Sequence, residues 1–258
     1  MKVVILAGGY GTRIRDVADD IPKPMIPIGR FPILWHIMKR YAFYGHKEFI
    51  ICLGHKGQII KDFFLNYEAN TRDFTITFGE RGGIAYHSRH DEADWRVTLA
   101  DTGLRSMTGS RISRIREYVR DDDFLLTYGD GVSDVDIDKL ILFHKSHGKI
   151  LTVTGVRPPG RFGEMAGEKD GQIIEFNEKP QATAGRISGG YFVASPRIFE
   201  YLDDREDLVF EQQPIRSLVQ DRQLMMYEHD GFWQPMDTSR EYQLLNSMYE
   251  NGSAPWVK

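Results

Sequence analysis

The stretch Val3-Val4-Ile5-Leu6-Ala7-Gly8-Gly9-Tyr10-Gly11-Thr12-Arg13 joins a short apolar run to a glycine-rich segment. The uninterrupted apolar run from Val3 to Leu6 predicts a strand that is buried on both faces of a parallel sheet. The glycines that follow lack Cβ atoms, so their backbone N–H groups can approach anionic oxygens closely. Together with the Thr12 hydroxyl and the Arg13 guanidinium, they predict a phosphate-binding loop. A plain strand-to-helix turn is the alternative.

The spacing of this loop differs from two other nucleotide-binding motifs. It matches neither the G-x-x-x-x-G-K-[ST] pattern of a P-loop nor the G-x-G-x-x-G pattern of a dinucleotide-binding turn. The second predicted strand also ends in Leu53-Gly54, without the acidic residue that binds a ribose in dinucleotide folds. A P-loop NTPase and a dehydrogenase are therefore disfavoured.

Strand and helix patterns alternate along the first half of the chain, and the second half is richer in strands. Further strands are predicted at 48–53, 74–78, 96–99, 124–127, 150–156, 173–177, 189–194 and 224–228. Helices are predicted at 32–44, 58–67, 111–119, 196–202, 214–219 and 239–249. This order predicts an α/β fold with a mixed, mostly parallel sheet flanked by helices. We expect one domain over 1–258, with a nucleotide-binding half of about 1–150, a sugar-phosphate-binding half of about 151–258 and a small β-rich extension there.

Composition excludes several classes of partner. The 258 residues carry a formal net charge of -4, which gives no basic field for a nucleic-acid backbone. The single cysteine, Cys52, lies in an apolar run and is expected to be buried and inert. No apolar stretch is long enough to span a bilayer, and the N-terminus lacks a signal-peptide pattern. We therefore expect a cytoplasmic protein that binds neither nucleic acid nor membrane.

A lysine between two prolines follows the glycine loop, in Pro22-Lys23-Pro24-Met25. The prolines restrict the backbone on both sides of Lys23, so little conformational freedom is lost when its ammonium group binds a ligand. This setting predicts a contact with the triphosphate, against the alternative of an exposed loop lysine.

Two aspartates are candidate metal ligands although they are far apart in the chain. Asp130 follows a buried strand in Gly129-Asp130-Gly131, where α/β sheets place their ligands. Asp237 precedes the last predicted helix, and capping that helix is its alternative role. If the two carboxylates meet, they form an oxygen site suited to Mg²⁺, which usually keeps waters and bridges substrate phosphates.

An acidic and basic pair in the second half could bind the acceptor. Glu178-Lys179-Pro180 follows a predicted strand, so that Lys179 could neutralise a phosphate while Glu178 accepts hydrogen bonds from sugar hydroxyls. The next predicted strand begins with Gly189-Gly190, which would allow a ligand near the backbone. An exposed ion pair at a strand end is the other interpretation.

The segments resemble the sugar-1-phosphate nucleotidyltransferases over the whole chain, and among them most closely the glucose-1-phosphate cytidylyltransferases. The glycine loop with Thr12-Arg13 and Lys23-Pro24 is shared with the broad family. Matches to the cytidylyl-transferring branch are Pro32 to Met38, Trp95 to Leu99, Asp101-Thr102-Gly103, Met107-Thr108-Gly109, Thr127 to Gly131, Pro158 to Gly163 and Phe232 to Thr238.

The resemblance implies a Rossmann-like nucleotidyltransferase fold and an Mg²⁺-dependent transfer of CMP from CTP to a sugar 1-phosphate, with α-D-glucose 1-phosphate as the expected acceptor. The implied catalytic residues are Arg13 and Lys23, and the implied Mg²⁺ ligands are Asp130 and Asp237. Nucleotide contacts are implied for Leu6, Ala7, Gly8, Gly9, Gly11, Thr12, Arg13, Lys23, Thr108, Arg111 and Gly129. Sugar-phosphate contacts are implied for Tyr128, Glu178, Lys179, Ser188 and Gly190. Relatives often assemble as trimers or hexamers.

The chain departs from the glucose pattern near the implied acceptor site. Ser188 stands in place of Asn, Arg157 in place of an aromatic residue, and Glu164-Met165 in place of a small residue and Leu. The same reaction with UTP or dTTP, or with another sugar 1-phosphate, therefore stays open. A nucleotide-binding regulatory protein without turnover is the alternative from a different class.

Overall fold

A computed structural model describes residues 1–11, 14, 20–79, 82–158 and 185–257, and the backbone of 164–167 and 173–177. In these residues the strands are β1 (Val3–Leu6), β2 (Pro27–Ile28), β3 (Phe31–Pro32), β4 (Glu48–Leu53), β5 (Phe74–Thr77), β6 (Gly83–Tyr86), β7 (Arg96–Asp101), β8 (Phe124–Tyr128), β9 (Gly131–Ser133), β10 (Leu151–Val156), β11 (Glu164–Gly167), β12 (Ile173–Asn177), β13 (Ile187–Ala194), β14 (Leu224–His229) and β15 (Trp233–Pro235).

The helices of the described residues connect these strands and cover the sheet. They are α1 (Ile33–Phe43), α2 (Gly57–Leu65), α3 (Tyr67–Thr71), α4 (Thr108–Arg114), α5 (Arg116–Val119), α6 (Ile137–His147), α7 (Gln213–Gln220) and α8 (Ser239–Glu250), with 3₁₀ helices at Lys23–Met25 and Pro196–Tyr201. No helix in this part of the chain is long and apolar enough to cross a membrane.

The central sheet has seven strands in the order β14-β10-β13-β8-β1-β4-β7. Strand β1 runs parallel to both neighbours, with Leu6 opposite Cys52 on β4 and opposite Tyr128 on β8. Strand β13 is antiparallel to β8 and β10, and the other pairings in the sheet are parallel. The predicted mixed, mostly parallel α/β fold is confirmed. The carboxyl ends of β1, β4 and β8 therefore meet at one edge, beside the start of β13.

The first strand is apolar throughout because the sheet is covered on both faces. Val3 and Ile5 pack into a core that includes α1, while Val4 and Leu6 pack on the opposite face with residues of α4 and α5. Each fully buried side chain of this size contributes roughly 1.5–3 kcal/mol relative to its exposed form. Cys52 is buried as expected, and burial raises the pKa of its thiol to about 12.

The structure refines several sequence-based boundaries. The helix predicted at 58–67 ends at Leu65 and is followed by the separate helix α3. The strand predicted at 74–78 lies outside the central sheet, where β5 pairs with β6 in an exposed hairpin. The helix α6 was missed, although its sequence carries an N-terminal signal: the Asp136 side chain accepts a hydrogen bond from the backbone N–H of Lys139 at 3.0 Å.

The last helix begins with a capping box formed by Thr238 and Glu241. The Thr238 hydroxyl accepts a hydrogen bond from the backbone N–H of Glu241, and the Glu241 carboxylate accepts from the N–H of Thr238 at 2.9 Å. The same carboxylate accepts from the N–H of Asp237 at 2.7 Å. Thr238 is thus the N-cap, and the capping alternative for the Asp237 side chain is not what the structure shows.

We expect Thr238→Ala to lower the free energy of unfolding by about 1 kcal/mol, because the start of α8 loses its side-chain acceptor. Chemical denaturation followed by circular dichroism measures the change, with Ser239→Ala at the next position as the matched control. Equal losses in the two variants would contradict the assignment of Thr238 as the cap.

Candidate active site

A cavity of about 360 Å³ opens at the carboxyl edge of the sheet, between the glycine loop, the end of β8 and the start of α4. It collects predicted residues from five separate segments of the chain. They are Leu6, Ala7, Gly8, Gly9, Gly11, Lys23, Thr108, Arg111, Tyr128, Gly129, Asp130 and Asp237. Tyr10, Pro24, Ser106 and Met107 also line it and were not predicted as site residues. Thr12, Arg13, Glu178 and Lys179 lie outside the described residues.

The Lys23 ammonium lies between the two predicted metal ligands. Its Nζ is 2.7 Å from Asp130 Oδ2 and 2.5 Å from Asp237 Oδ1, and the lysine side chain is only 11% exposed. Burial opposes the charge on Lys23, but attraction to Asp130 and the hydrogen bonds to both carboxylates outweigh it, so its pKa is raised. Lys23 is therefore a preorganised cation at the floor of the cavity.

Local backbone structure holds Lys23 in this position. The prolines on either side fit a single 3₁₀ turn, in which the N–H of Met25 donates to the carbonyl of Pro22 at 2.8 Å. Pro24 is buried against Gly129, where an added Cβ would come 3.2 Å from the Pro24 ring and 3.1 Å from the Leu6 carbonyl. A side chain at Gly129 would therefore crowd Pro24 and push the lysine turn slightly away from the end of β8.

A short antiparallel ladder brings Asp237 to Asp130. Strand β15 pairs with β9, with Pro235 opposite Gly131, and the N–H of Met236 donates to the carbonyl of Asp130 at 2.8 Å. The next residue, Asp237, is then held by the capping box of α8. The ladder of β9 with β15 and the capping box of α8 thus place the second carboxylate beside the first.

The two carboxylates form a donor set that fits a hard divalent cation. Because both contact the same ammonium nitrogen, their nearest oxygens are no more than about 5 Å apart. Mg²⁺ is commonly held by one or two carboxylates together with waters and substrate phosphates. No group of three or more His, Cys, Asp or Glu side chains suited to a metal is present in the described residues. Asp130 and Asp237 are therefore the candidate ligands.

The Arg111 guanidinium contacts the backbone of the glycine loop and holds it in position. The guanidinium is buried and donates to the carbonyls of Gly8 at 3.0 Å, Leu53 at 2.7 Å and Gly103 at 2.8 Å. It also donates to the Thr102 hydroxyl at 2.8 Å. Burial lowers the pKa of Arg111, and these acceptors surround its charge. Arg111 lines the cavity as predicted, but its described hydrogen bonds tie together the loops that end β1, β4 and β7.

The glycines of the loop serve different purposes. An added Cβ at Gly8 would overlap the Arg111 guanidinium, so this glycine makes room for the arginine. Gly11 has a positive φ of 61°, which favours glycine. At Gly9 no atom lies within 4 Å of an added Cβ, so this position leaves backbone accessible from the cavity. All three glycines line the cavity, and the prediction that their backbone contacts a nucleotide stays a prediction.

Among the lining residues that were not predicted, Ser106 is uncharged and lies outside any motif, and Tyr10 lies within the glycine loop. Ser106 is 4% exposed, and its hydroxyl has no hydrogen-bond partner within the described part of the chain. A buried hydroxyl left unpaired at a cavity wall is suited to a polar ligand. Tyr10 lines the cavity, is 54% exposed, and contacts the His55 ring at a tilt, with ring centroids 4.9 Å apart.

A smaller cavity of about 40 Å³ adjoins the first and shares Tyr128 and Asp130 with it. Its wall contains the predicted acceptor residues Ser188 and Gly190. Gly190 has φ of 75°, and the Tyr128 ring packs where its Cβ would be. The absence of a side chain at Gly190 thus leaves room for the Tyr128 ring, which lines both cavities.

The departure at Arg157 belongs to an ion-pair cluster at this edge of the sheet. Arg157 Nε is 2.9 Å from Asp230 Oδ1, and the same oxygen is 2.8 Å from Arg186. Arg186 also contacts Glu228 at 2.9 Å. The cluster links the ends of β10 and β14 to the residue before β13. Glu164 and Met165 begin β11, of which the backbone alone is described.

Sequence relatives cover the whole chain. Glucose-1-phosphate cytidylyltransferase of Salmonella typhimurium is 49% identical over 257 residues, which are 99% of this chain and 98% of the relative. A probable glucose-1-phosphate cytidylyltransferase of Bacillus subtilis is 41% identical over 99% of both chains.

The fold also matches a solved structure. UDP-glucose pyrophosphorylase in complex with UDP-glucose superposes with a TM-score of 0.69 over 97% of this chain and 98% of that one, at 16% identity. At this identity the match shows a shared Rossmann-like nucleotidyltransferase fold. The sequence model of the Nucleotidyl transferase family matches residues 2–249 of this chain. The chain with its carboxylate–lysine–carboxylate cluster therefore belongs to the nucleotidyl transferase family.

Proposed function

We propose that this chain transfers CMP from CTP to a sugar 1-phosphate, with glucose 1-phosphate as the acceptor, and releases pyrophosphate. The observation that carries the proposal is the Lys23 ammonium between Asp130 and Asp237 at the floor of a glycine-lined cavity. The names of the relatives from Salmonella typhimurium and Bacillus subtilis support the choice of CTP and glucose 1-phosphate.

In this proposal the larger cavity binds the nucleotide. Gly9 offers backbone to the phosphates, Lys23 offers a positive charge, and the buried Ser106 hydroxyl offers a polar contact. Thr12 and Arg13, predicted from sequence, belong to the same binding function. Residues 1–150 supply the nucleotide half. Residues 151–258 supply the acceptor half through Ser188 and Gly190, together with the predicted Glu178 and Lys179.

The reaction needs little acid–base chemistry from the protein. An acceptor phosphate oxygen, already ionised at neutral pH, attacks the α-phosphorus of CTP and forms the new P–O bond. The bond from that phosphorus to the oxygen bridging to the β-phosphate breaks, and its electron pair leaves with pyrophosphate. Positioning and charge neutralisation by Lys23, Arg13 and Lys179 then account for catalysis.

We propose Mg²⁺ as the divalent metal, held by Asp130 and Asp237. When bound, it supplies positive charge near the phosphates and orients them. In the structure Lys23 neutralises the same two carboxylates, because two carboxylates this close repel each other without a cation.

The proposal includes a homo-oligomer, a trimer or a hexamer, in the cytoplasm where CTP is found. The hairpin of β5 and β6 supports assembly, because it exposes Ile76, Ile84 and Phe78, which directly follows β5 and is 89% exposed. Exposed apolar patches of this kind are typical of protein–protein interfaces.

We expect CTP with glucose 1-phosphate to release pyrophosphate faster than the other pairs when the four common NTPs and dTTP are compared in a coupled pyrophosphate assay. The same panel with mannose 1-phosphate and galactose 1-phosphate tests the acceptor, since Ser188 departs from the glucose pattern. A higher kcat/KM with UTP or dTTP than with CTP would show that the protein prefers that nucleotide to CTP. No release with any pair would favour a regulatory nucleotide-binding protein.

Lys23→Ala should reduce kcat by about 10²–10³-fold, the range observed when one preorganised charge-stabilising donor is lost. Lys47→Ala is the matched control, because Lys47 pairs with Asp94 at 2.6 Å in an exposed position away from the cavity. A Lys23→Ala protein that turns over CTP like the control would refute the role of Lys23.

A further inference from the structure

Glu211 bridges two cavity hydroxyls from outside the cavity. It lies in the turn before α7 and is exposed. Its Oε2 accepts a hydrogen bond from the Thr108 hydroxyl at 2.7 Å, and its Oε1 accepts one from the Tyr128 hydroxyl. Thr108, at the start of α4, and Tyr128, at the end of β8, both line one wall of the cavity.

The turn that carries Glu211 is fixed to α4 by backbone contacts. The N–H of Met107 donates to the carbonyl of Glu206 at 2.8 Å, and the N–H of Gly109 donates to that of Leu208 at 2.9 Å. An added Cβ at Gly109 would come 2.8 Å from the Leu208 side chain, so this glycine allows the close approach. The position of the Glu211 carboxylate is therefore set by the fold.

The contacts with Glu211 determine which hydrogen-bonding positions the Thr108 and Tyr128 hydroxyls have left for a ligand. A hydroxyl has one proton and two acceptor lone pairs, whereas an ionised carboxylate only accepts. Thr108 and Tyr128 both give their proton to Glu211. The Thr108 oxygen also accepts from the N–H of Phe210 at 2.9 Å, which leaves it one lone pair. Both hydroxyls can therefore only accept hydrogen bonds from the cavity.

The surroundings of Tyr128 keep its proton in place. Burial, followed by the charge of Glu211 and the hydrogen bond to it, raises the pKa of the Tyr128 hydroxyl well above its usual value. The hydroxyl is therefore protonated at neutral pH and donates to the carboxylate.

We propose that Glu211 is a specificity-determining residue that makes the Thr108–Tyr128 wall an acceptor surface, which binds hydrogen-bond donors of a substrate. Such donors are hydroxyl groups of a ribose or a sugar, or the exocyclic amino group of a base. Phosphate oxygens only accept, so they are directed away from this wall and toward Lys23. The proposal rests on the proposed function for the identity of the substrates.

The charges of Lys23 and Glu211 favour the same placement, with phosphates near Lys23 and hydrogen-bond donors near the Thr108–Tyr128 wall. Lys23 contributes a positive charge at the floor of the cavity, and Glu211 a negative charge behind the Thr108–Tyr128 wall. A carboxylate repels a triphosphate and disfavours its binding in the reverse orientation. Because Tyr128 also lines the smaller cavity, the donor can belong either to the nucleotide or to the acceptor sugar.

The test compares Glu211→Ala with wild type, using substrate analogues that each lack one donor. The analogues are 2′-deoxy-CTP and 3′-deoxy-CTP for the ribose, UTP for the base, in which a carbonyl replaces the exocyclic amino group and N3 carries a proton, and the deoxy and deoxyfluoro forms of glucose 1-phosphate for the sugar. For the analogue that lacks the docked donor, we expect a loss in kcat/KM of about 10-fold or more in wild type, which shrinks to about 3-fold or less in Glu211→Ala. The analogue affected identifies the substrate and the donor.

Two further variants keep this test interpretable. Glu211→Gln preserves shape but offers a single acceptor, so at least one hydroxyl loses its carboxylate partner, and the loss for an analogue whose donor docks on that hydroxyl shrinks even if Glu211→Ala folds poorly. Glu200→Ala is the matched control, since Glu200 is an exposed partner of Arg197 at 3.4 Å on another face.

Analogue losses that are unchanged in both Glu211 variants would overturn the proposal. A purely structural role would lower kcat/KM for all substrates by one factor and leave the ratios between analogues unchanged, which also overturns it. Failure of the proposed function gives a different result, because wild type would then release no pyrophosphate from CTP and glucose 1-phosphate.

Discussion

The contact of one ammonium group with two carboxylates holds the candidate active site together. Lys23 comes from the segment after the glycine loop, Asp130 from the turn after β8, and Asp237 from the position before the N-cap of α8. Each would be unfavourable alone at the floor of a cavity, because a half-buried charge needs a partner. Their mutual neutralisation therefore links three distant segments, and it places a positive charge beside two oxygen ligands suited to a metal.

Positively and negatively charged side chains lie at different parts of the cavity. Arg111 is buried and surrounded by carbonyls of the loops after β1, β4 and β7, so its charge shapes the glycine loop. Lys23 lies at the cavity floor, and Glu211 lies behind the wall formed by Thr108 and Tyr128. A substrate with an anionic end and a donor-rich end would fit this arrangement in one orientation only. A nucleotide joined to a sugar phosphate has those two chemical characters.

Local patterns predicted the parts of the fold that depend on neighbouring residues. The apolar run of β1, the prolines around Lys23 and the aspartate after β8 each carry their signal within a few positions, and the structure brings them together. Long-range partners left no such signal. Glu211 is an ordinary exposed glutamate in sequence, and its role depends on hydroxyls 83 and 103 residues away. The Arg111 contact with Gly8 spans 103 residues in the same way.

The central claim is that Asp130 and Asp237 bind one divalent cation together, and metal binding tests it most directly. Mn²⁺ affinity in the presence of CTP, followed by electron paramagnetic resonance, should fall by about 10-fold or more in Asp130→Asn and in Asp237→Asn, since each removes one ligand charge. Asp138→Asn, on the exposed first turn of α6, should bind Mn²⁺ like wild type. Wild-type affinity in either of the first two variants would contradict a shared site.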